Sequence, residues 1–146
     1  MLSNTSKYAL RAVIYLALNE DGATKIGIKQ ISKELQIPTP FLGKILQSLA
    51  KHKLLVSTKG PHGGFGLAKN AYEISLMDIV EIIDGMDNFN MCILGLHPCS
   101  DKDDNHHCPI HQNYATVREQ LKVLFETENV GELADRIKEN TSSLVL

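Results

Sequence analysis

The chain has 146 residues, of which 43% are apolar and 22% charged, and its formal net charge is −2. This is the make-up of an ordinary globular protein, with length for one domain and a short helical extension. No stretch approaches the roughly 20 apolar residues of a membrane span, and the start lacks a small-residue cleavage site and does not read as a signal peptide, so a cytoplasmic place is expected.

The average charge hides an asymmetry. Residues 1–72 hold 10 Lys and Arg against 3 Asp and Glu, a balance of +7; residues 73–146 hold 5 against 14, a balance of −9. No acid stands between Glu34 and Glu73, while Lys44, Lys51, Lys53, Lys59 and Lys69 fall in that window. Such a split is expected when one half faces a polyanion, although a solvated lysine face would look the same.

In chain order, Asn4, Thr5 and Ser6 offer caps for a first helix to about Asn19, with Tyr8, Ala9, Ala12, Val13, Leu16 and Ala17 as its buried face. A shorter helix follows over 28–35, with Ile28, Ile31 and Leu35 on one side. Thr39 as cap and Pro40 at the first position predict a third helix to about His52. Its apolar face is Phe41, Leu42, Ile45, Leu46 and Leu49. Its other face, Gly43, Lys44, Gln47, Ser48 and Lys51, carries base and no acid. Two helices with a short turn and a cationic second helix are the helix-turn-helix pattern. Strands over 54–58 and 65–68 flank the turn Lys59-Gly60-Pro61-His62-Gly63-Gly64. A basic hairpin straight after such a pair is the wing of a winged helix.

Ser75-Leu76-Met77-Asp78 is a capping-box start for a fourth helix that stops at Gly85. A fifth helix is expected from Gln112 to about Thr127, with Tyr114, Val117, Leu121, Leu124 and Phe125 on one stripe. A last short helix begins at Asn129 and carries Leu133, Ala134 and Ile137. The stripe of the fifth helix needs a cover, either a second copy of itself or its own chain, for example the first helix.

Between the fourth and fifth helices lies Cys92 to His111, which holds all three cysteines in the pattern C-x6-C-x8-C-x2-H. Two prolines and an acidic run exclude regular structure there. Ordering so long a loop costs chain entropy, and a metal or cluster on the four side chains would offset it. An odd number of thiols beside histidine points to metal or redox chemistry rather than a disulfide frame. Thiolates and imidazole suit iron–sulfur clusters and zinc alike. Zinc usually shows a shorter C-x2–4-C knuckle. His97, His106 and His107 compete with His111 as fourth donor, and a metal-free redox disulfide is the remaining alternative. No paired acid/base or nucleophile constellation suggests an enzyme.

The chain resembles the Rrf-two family of bacterial winged-helix regulators over nearly its whole length. The residues that carry the likeness are Tyr8-Ala9-Leu10-Arg11, Ile31-Ser32, Ile37-Pro38, the wing Lys59 to Phe65 with Leu67-Ala68, and Ile74 to Val80. The resemblance implies a mainly α winged helix-turn-helix with a small β-hairpin wing and a long C-terminal dimerisation helix. It implies a homodimeric transcription factor, usually a repressor, on a palindromic double-stranded DNA operator, with no membrane partner and no small-molecule substrate. The expected division is 1–85 for DNA binding, 86–111 for the cysteine loop and 112–146 for dimerisation.

The loop distinguishes branches of the family. CymR-like members lack the cysteines, and NsrR-like members complete three cysteines with a carboxylate near the start of the first helix, where this chain has Ser6-Lys7-Tyr8. IscR-like members place a histidine two residues beyond the third cysteine, as Cys108-Pro109-Ile110-His111 does here, and an aromatic three residues later, as Tyr114 is. The resemblance thus implies Cys92, Cys99, Cys108 and His111 as ligands of a two-iron, two-sulfur cluster, with a four-iron cluster or zinc as the alternatives. The expected DNA contacts are Thr39, Lys44, Gln47 and Ser48 from the third helix, with Lys51, Lys59, His62 and Gly63 toward phosphate or the minor groove. Where IscR-like members read a base with glutamate, this chain has Gly43, which implies a different operator preference. The alternative function is a cluster-free or zinc-bound regulator that acts through a thiol switch or a partner protein.

Overall fold

The computed structural model describes residues 2–94 and 109–140. Helix α1, Asn4–Leu18, is the central rod. Its cap is Ser3, whose hydroxyl accepts from the Ser6 amide at 3.0 Å. Asn4, Thr5 and Ser6, the expected caps, lie inside the helix, and Ser6 is buried. Ala9, Ala12, Val13, Leu16 and Ala17 are buried as the periodicity requires.

Helices α2, Ile28–Leu35, and α3, Thr39–Lys51, form the helix-turn-helix. Between them Gln36 takes the left-handed conformation at φ 54, and Pro38 sets the entry into α3. The cap position of α3 is Pro38, so Thr39 is the first helical residue and Pro40 the second. This corrects the expected Thr39 cap by one residue. Pro40 still sits in the first turn, where a missing N–H costs nothing. Leu42, Ile45, Leu46 and Leu49 are buried, but Phe41 is 41% exposed. The expected apolar face is therefore one residue too wide.

Strands β1, Leu55–Thr58, and β2, Gly64–Leu67, pair antiparallel from Leu55↔Leu67 to Thr58↔Gly64. Ile26 adds a one-residue bridge on the far side of β2: its amide donates to the Phe65 carbonyl at 2.9 Å and its carbonyl accepts from the Phe65 amide at 2.8 Å. The bridge explains Gly64. Its φ is +153, and a Cβ there would run into the Ile26 carbonyl.

Helix α4, Leu76–Asp84, starts with a complete capping box: Ser75 Oγ accepts from the Asp78 amide at 3.0 Å, and Asp78 accepts from the Ser75 amide at 2.9 Å. Gly85 ends it at φ 74. A four-residue helix α5, Asp87–Asn90, follows; four residues are too few to show a period in sequence. Helix α6 spans His111–Thr127 and α7 spans Val130–Glu139. Asn129 caps α7 by accepting from the Glu132 amide at 2.9 Å. The α6–α7 joint is laced to the start of α4, the Leu76 amide donating to Glu128 at 3.0 Å and the Val130 amide to Ile74 at 2.9 Å.

The main core joins α1, α2, α3 and the hairpin to Ile79 of α4 and to Val130 and Ala134 of α7. A second cluster, Met77, Val80, Phe89 and Phe125 with Leu121 against it, seats α6 on α4 and α5. Phe89 and Phe125 meet edge to face at 5.6 Å. The stripe of α6 is thus split. Phe125 and Leu121 pack on their own chain, whereas Val117 is 57% and Leu124 47% exposed. No helix among the described residues is long and apolar enough to cross a membrane.

Candidate nucleic-acid interface and cysteine–histidine site

The helix-turn-helix is held by hydrogen bonds from both ends of its turn. The Ser32 hydroxyl donates to the Ile37 carbonyl at 2.6 Å, and the Thr39 hydroxyl donates to Ser32 Oγ at 2.9 Å. Thr39, a predicted DNA contact, is half-buried and already engaged in the turn. Arg11 of α1 reaches across to donate from Nη2 to the Leu35 carbonyl at 2.8 Å, which satisfies an orphan acceptor at the end of α2. Its guanidinium lies 5.9 Å from the Tyr8 ring centre. The Tyr8-Ala9-Leu10-Arg11 run thus has a mechanical meaning: Ala9 goes into the core, and Tyr8 and Arg11 brace the helix-turn-helix.

Lys44, Gln47 and Lys51 stand exposed on α3, and Ser48 is half-buried between them and the core. The Ser48 carbonyl accepts from His52 Nδ1 at 2.9 Å. In the hairpin turn Lys59 and His62 are exposed. Gly60 has φ +104, and a Cβ on Gly63 would collide with the Thr58 carbonyl. The turn is therefore a tight, glycine-dependent tip that leaves its backbone open to a close neighbour. Among the described residues, the ion pairs involve Lys122 with Glu126 and Arg136 with Glu128 and Glu132. Lys44, Lys51, Lys53, Lys59 and Lys69 take part in none of them.

Of the four predicted ligands, Cys92 and His111 are described, and Cys99 and Cys108 lie outside the described residues, as do the rival donors His97, His106 and His107. Cys92 is 4% exposed, just beyond α5. His111 is half-buried and is the first residue of α6, one position earlier than the helix was expected to begin. Among the described residues no group of three His, Cys, Asp or Glu side chains is placed to hold a metal. Asp84, at the end of α4, accepts from the Ser3 amide at 3.0 Å and from the Ser3 hydroxyl, so it ties the start of α1 to the helix that leads into this segment. That link spans 81 residues and had no signal in sequence.

A winged helix-turn-helix with a basic second helix and a glycine-tipped wing narrows the relatives to be expected. The model of the Rrf2 (Rrf-two) family, described as iron-dependent transcriptional regulator, matches residues 2–136. The chain belongs to the Rrf2 family. A protein of Aquifex aeolicus named as an HTH-type transcriptional regulator is 38% identical over 133 residues, covering 91% of this chain and 90% of its own length. The regulator IscR of Cronobacter sakazakii is 25% identical over 134 residues, covering 92% and 80%. Among solved structures, T. potens IscR superposes with TM-score 0.75 at 17% identity over 99% of this chain and 93% of its own. CymR of B. subtilis, described as the global cysteine regulator, superposes with TM-score 0.74 at 20% identity over 93% and 97%. The Rrf2 relatives are DNA-binding transcriptional regulators rather than enzymes, so the chain is a transcriptional regulator with the expected mainly α, winged architecture.

Proposed function

We propose that this Rrf2 protein is a homodimeric cytoplasmic regulator, a repressor in its default action, that binds a palindromic operator and senses redox state, nitric oxide or iron–sulfur supply through a cluster in its cysteine loop. The observation that carries the DNA-binding assignment is the unneutralised basic surface on α3 and the wing. Lysines 44, 51 and 59 are exposed with no acid between Glu34 and Glu73. In this reading α3 enters the major groove, with Lys44, Gln47 and Ser48 toward base edges. Lys51, Lys59 and His62 meet phosphate or the minor groove, and Gly63 lets the wing backbone approach. Thr39 acts from the turn. Residues 1–85 bind DNA, 86–111 hold the sensor, and 112–146 pair the two copies through the exposed Val117 and Leu124 of α6.

The donor set fits an iron–sulfur cluster: three thiols and an imidazole are the soft and borderline ligands that iron–sulfur centres take. His111 opens α6, whose first turn carries no acid, so the positive end of the helix favours anionic sulfur nearby. Cys92, Cys99, Cys108 and His111 would hold a two-iron, two-sulfur cluster, the choice that the Cys108-Pro109-Ile110-His111 spacing with Tyr114 supports over a four-iron cluster or zinc. When bound, the cluster would supply a redox- and iron-responsive centre, with the neutral imidazole as its most easily released ligand. The chain's own part is to convert order in the loop into the setting of α1. Asp84 and Ser3 link the helix before the loop to the rod that braces the reading helices.

The test is anaerobic purification of the full chain, with visible absorption and iron, sulfide and zinc analysis of wild type and His111→Ala. Equal iron and sulfide, with a spectrum altered in His111→Ala, is the expected result. A colourless protein that holds zinc, or nothing after reconstitution, replaces the cluster with a structural metal or a thiol switch. Selection of duplexes from a random-sequence library by the same protein tests the DNA half separately.

A further inference from the structure

The chain has four phenylalanines. Phe65, Phe89 and Phe125 are 6%, 6% and 8% exposed, as large apolar rings ordinarily are. Phe41 is 41% exposed, and it sits in the first turn of the basic helix. It lies one turn ahead of the exposed Lys44 and on the same side, since residues three and seven apart (Phe41, Lys44 and Ser48) line up along a helix. Leaving a phenyl ring in water forfeits burial free energy. Here the ring is also held still: it meets Tyr8 edge to face, with centroids 5.7 Å apart and planes at 88°. Tyr8 is in turn covered by Arg11, which is anchored on the Leu35 carbonyl. The ring is thus fixed from one side and open on the other, which is a preorganised apolar contact rather than a loose side chain.

We propose that Phe41 is a specificity-determining residue that reads a thymine in each half-site by packing on its 5-methyl group. The inference rests on the reading of α3 as the DNA-reading helix and names what one further position of that helix recognises. The N-terminal residues of a recognition helix are those that reach base edges. In the major groove the four bases present hydrogen-bonding groups, and thymine alone adds an apolar one. A phenyl ring has nothing to offer phosphate or the polar edges, so the thymine methyl is the chemical match. Tyr8 and Arg11 act through Phe41 as positioning residues.

The experiment uses the full-length wild type and duplexes it selects from a random-sequence library. Each thymine is then replaced singly by deoxyuridine, which removes one methyl group and no hydrogen bond. Affinities are measured for wild type, Phe41→Ala and Phe41→Leu. Wild type should lose about fourfold in Kd at one thymine per half-site, the worth of about one buried methyl. Phe41→Ala should lose nothing further at that thymine, and Phe41→Leu should keep part of the sensitivity. Wild type indifferent to every thymine-to-uracil change overturns the proposal without recourse to any variant. A Phe41→Ala protein that binds more weakly but stays equally methyl-sensitive overturns it as well, and makes the ring a brace for Tyr8 only. If the library yields no preferred duplex, the DNA-reading assignment of α3 itself falls, a result distinct from both.

Discussion

Single side chains in this protein do joining work that their types only hint at. Arg11 uses one guanidinium to close the end of α2 and to cover Tyr8. Lysine can offer a point charge but not the planar fork and stacking surface together. Arg11→Lys should therefore destabilise the fold by about 1 kcal/mol, read as a lower urea midpoint. Asp21 gathers three donors in the turn after α1: the Ala23 amide at 3.0 Å, the Thr24 amide at 2.7 Å and the Thr24 hydroxyl at 2.6 Å. These bonds, the Thr24 hydroxyl foremost, hold its carboxyl down from 3.8 to about 2. A carboxylate lowered on folding adds stability that is present above its unfolded pKa and is lost as pH falls through the folded one. The turn should thus loosen between about pH 4 and pH 2, and Asp21→Asn should erase that part of the acid titration of stability, followed by proton NMR of the Thr24 amide.

Elements show the same economy of signals. Ser75 and Asp78 were readable as the start of α4, and the structure completes their reciprocal box. Ser75→Ala should cost about 1 kcal/mol in chemical denaturation. The wing depends on Gly64, where positive φ and the Ile26 carbonyl both refuse a Cβ. Gly64→Ala should cost more than about 1 kcal/mol and splay the hairpin from Ile26, visible as loss of amide protection at Phe65. The glycine-rich turn was legible as a turn, but the demand at position 64 was not, because Ile26 lies 38 residues back along the chain. The α6 stripe was legible as apolar at helical spacing. Its division into a half that packs on α4 and a half left outside needed the placement of Phe89, in a helix too short to announce itself.

At the scale of the molecule, the charge split between the two halves should govern behaviour with DNA. Binding to a selected operator should weaken steeply with salt, since each neutralised phosphate releases condensed counterions. Lys59→Ala and Lys51→Ala should each lower the slope of log affinity against log salt by about 1. Unchanged slopes in both variants would remove these lysines from the interface. The exposed Val117 and Leu124 set the second expectation: the pair Val117→Glu and Leu124→Glu should convert the proposed dimer into a monomer by light scattering, while Phe125 keeps α6 seated on its own chain.

What the sequence determined by itself is what local chemistry and periodicity decide: the order of the longer helices and the hairpin, the acid-free basic helix α3, the caps at Ser75 and Asn129, the glycine wing, and a cysteine–histidine segment suited to soft metal chemistry. Each of these is written within a few residues of itself. What only the tertiary structure decided concerns pairs far apart in the chain: Ser3 on Asp84, Arg11 on Leu35, Ile26 beside Phe65, and above all Phe41. By spacing that ring borders both faces of α3, the buried one and the basic one. Whether a border position is buried depends on how far the neighbouring helix reaches over it, and Tyr8 of α1 reaches only its edge. The residue therefore stays outside, a fact of packing that no period along α3 contains.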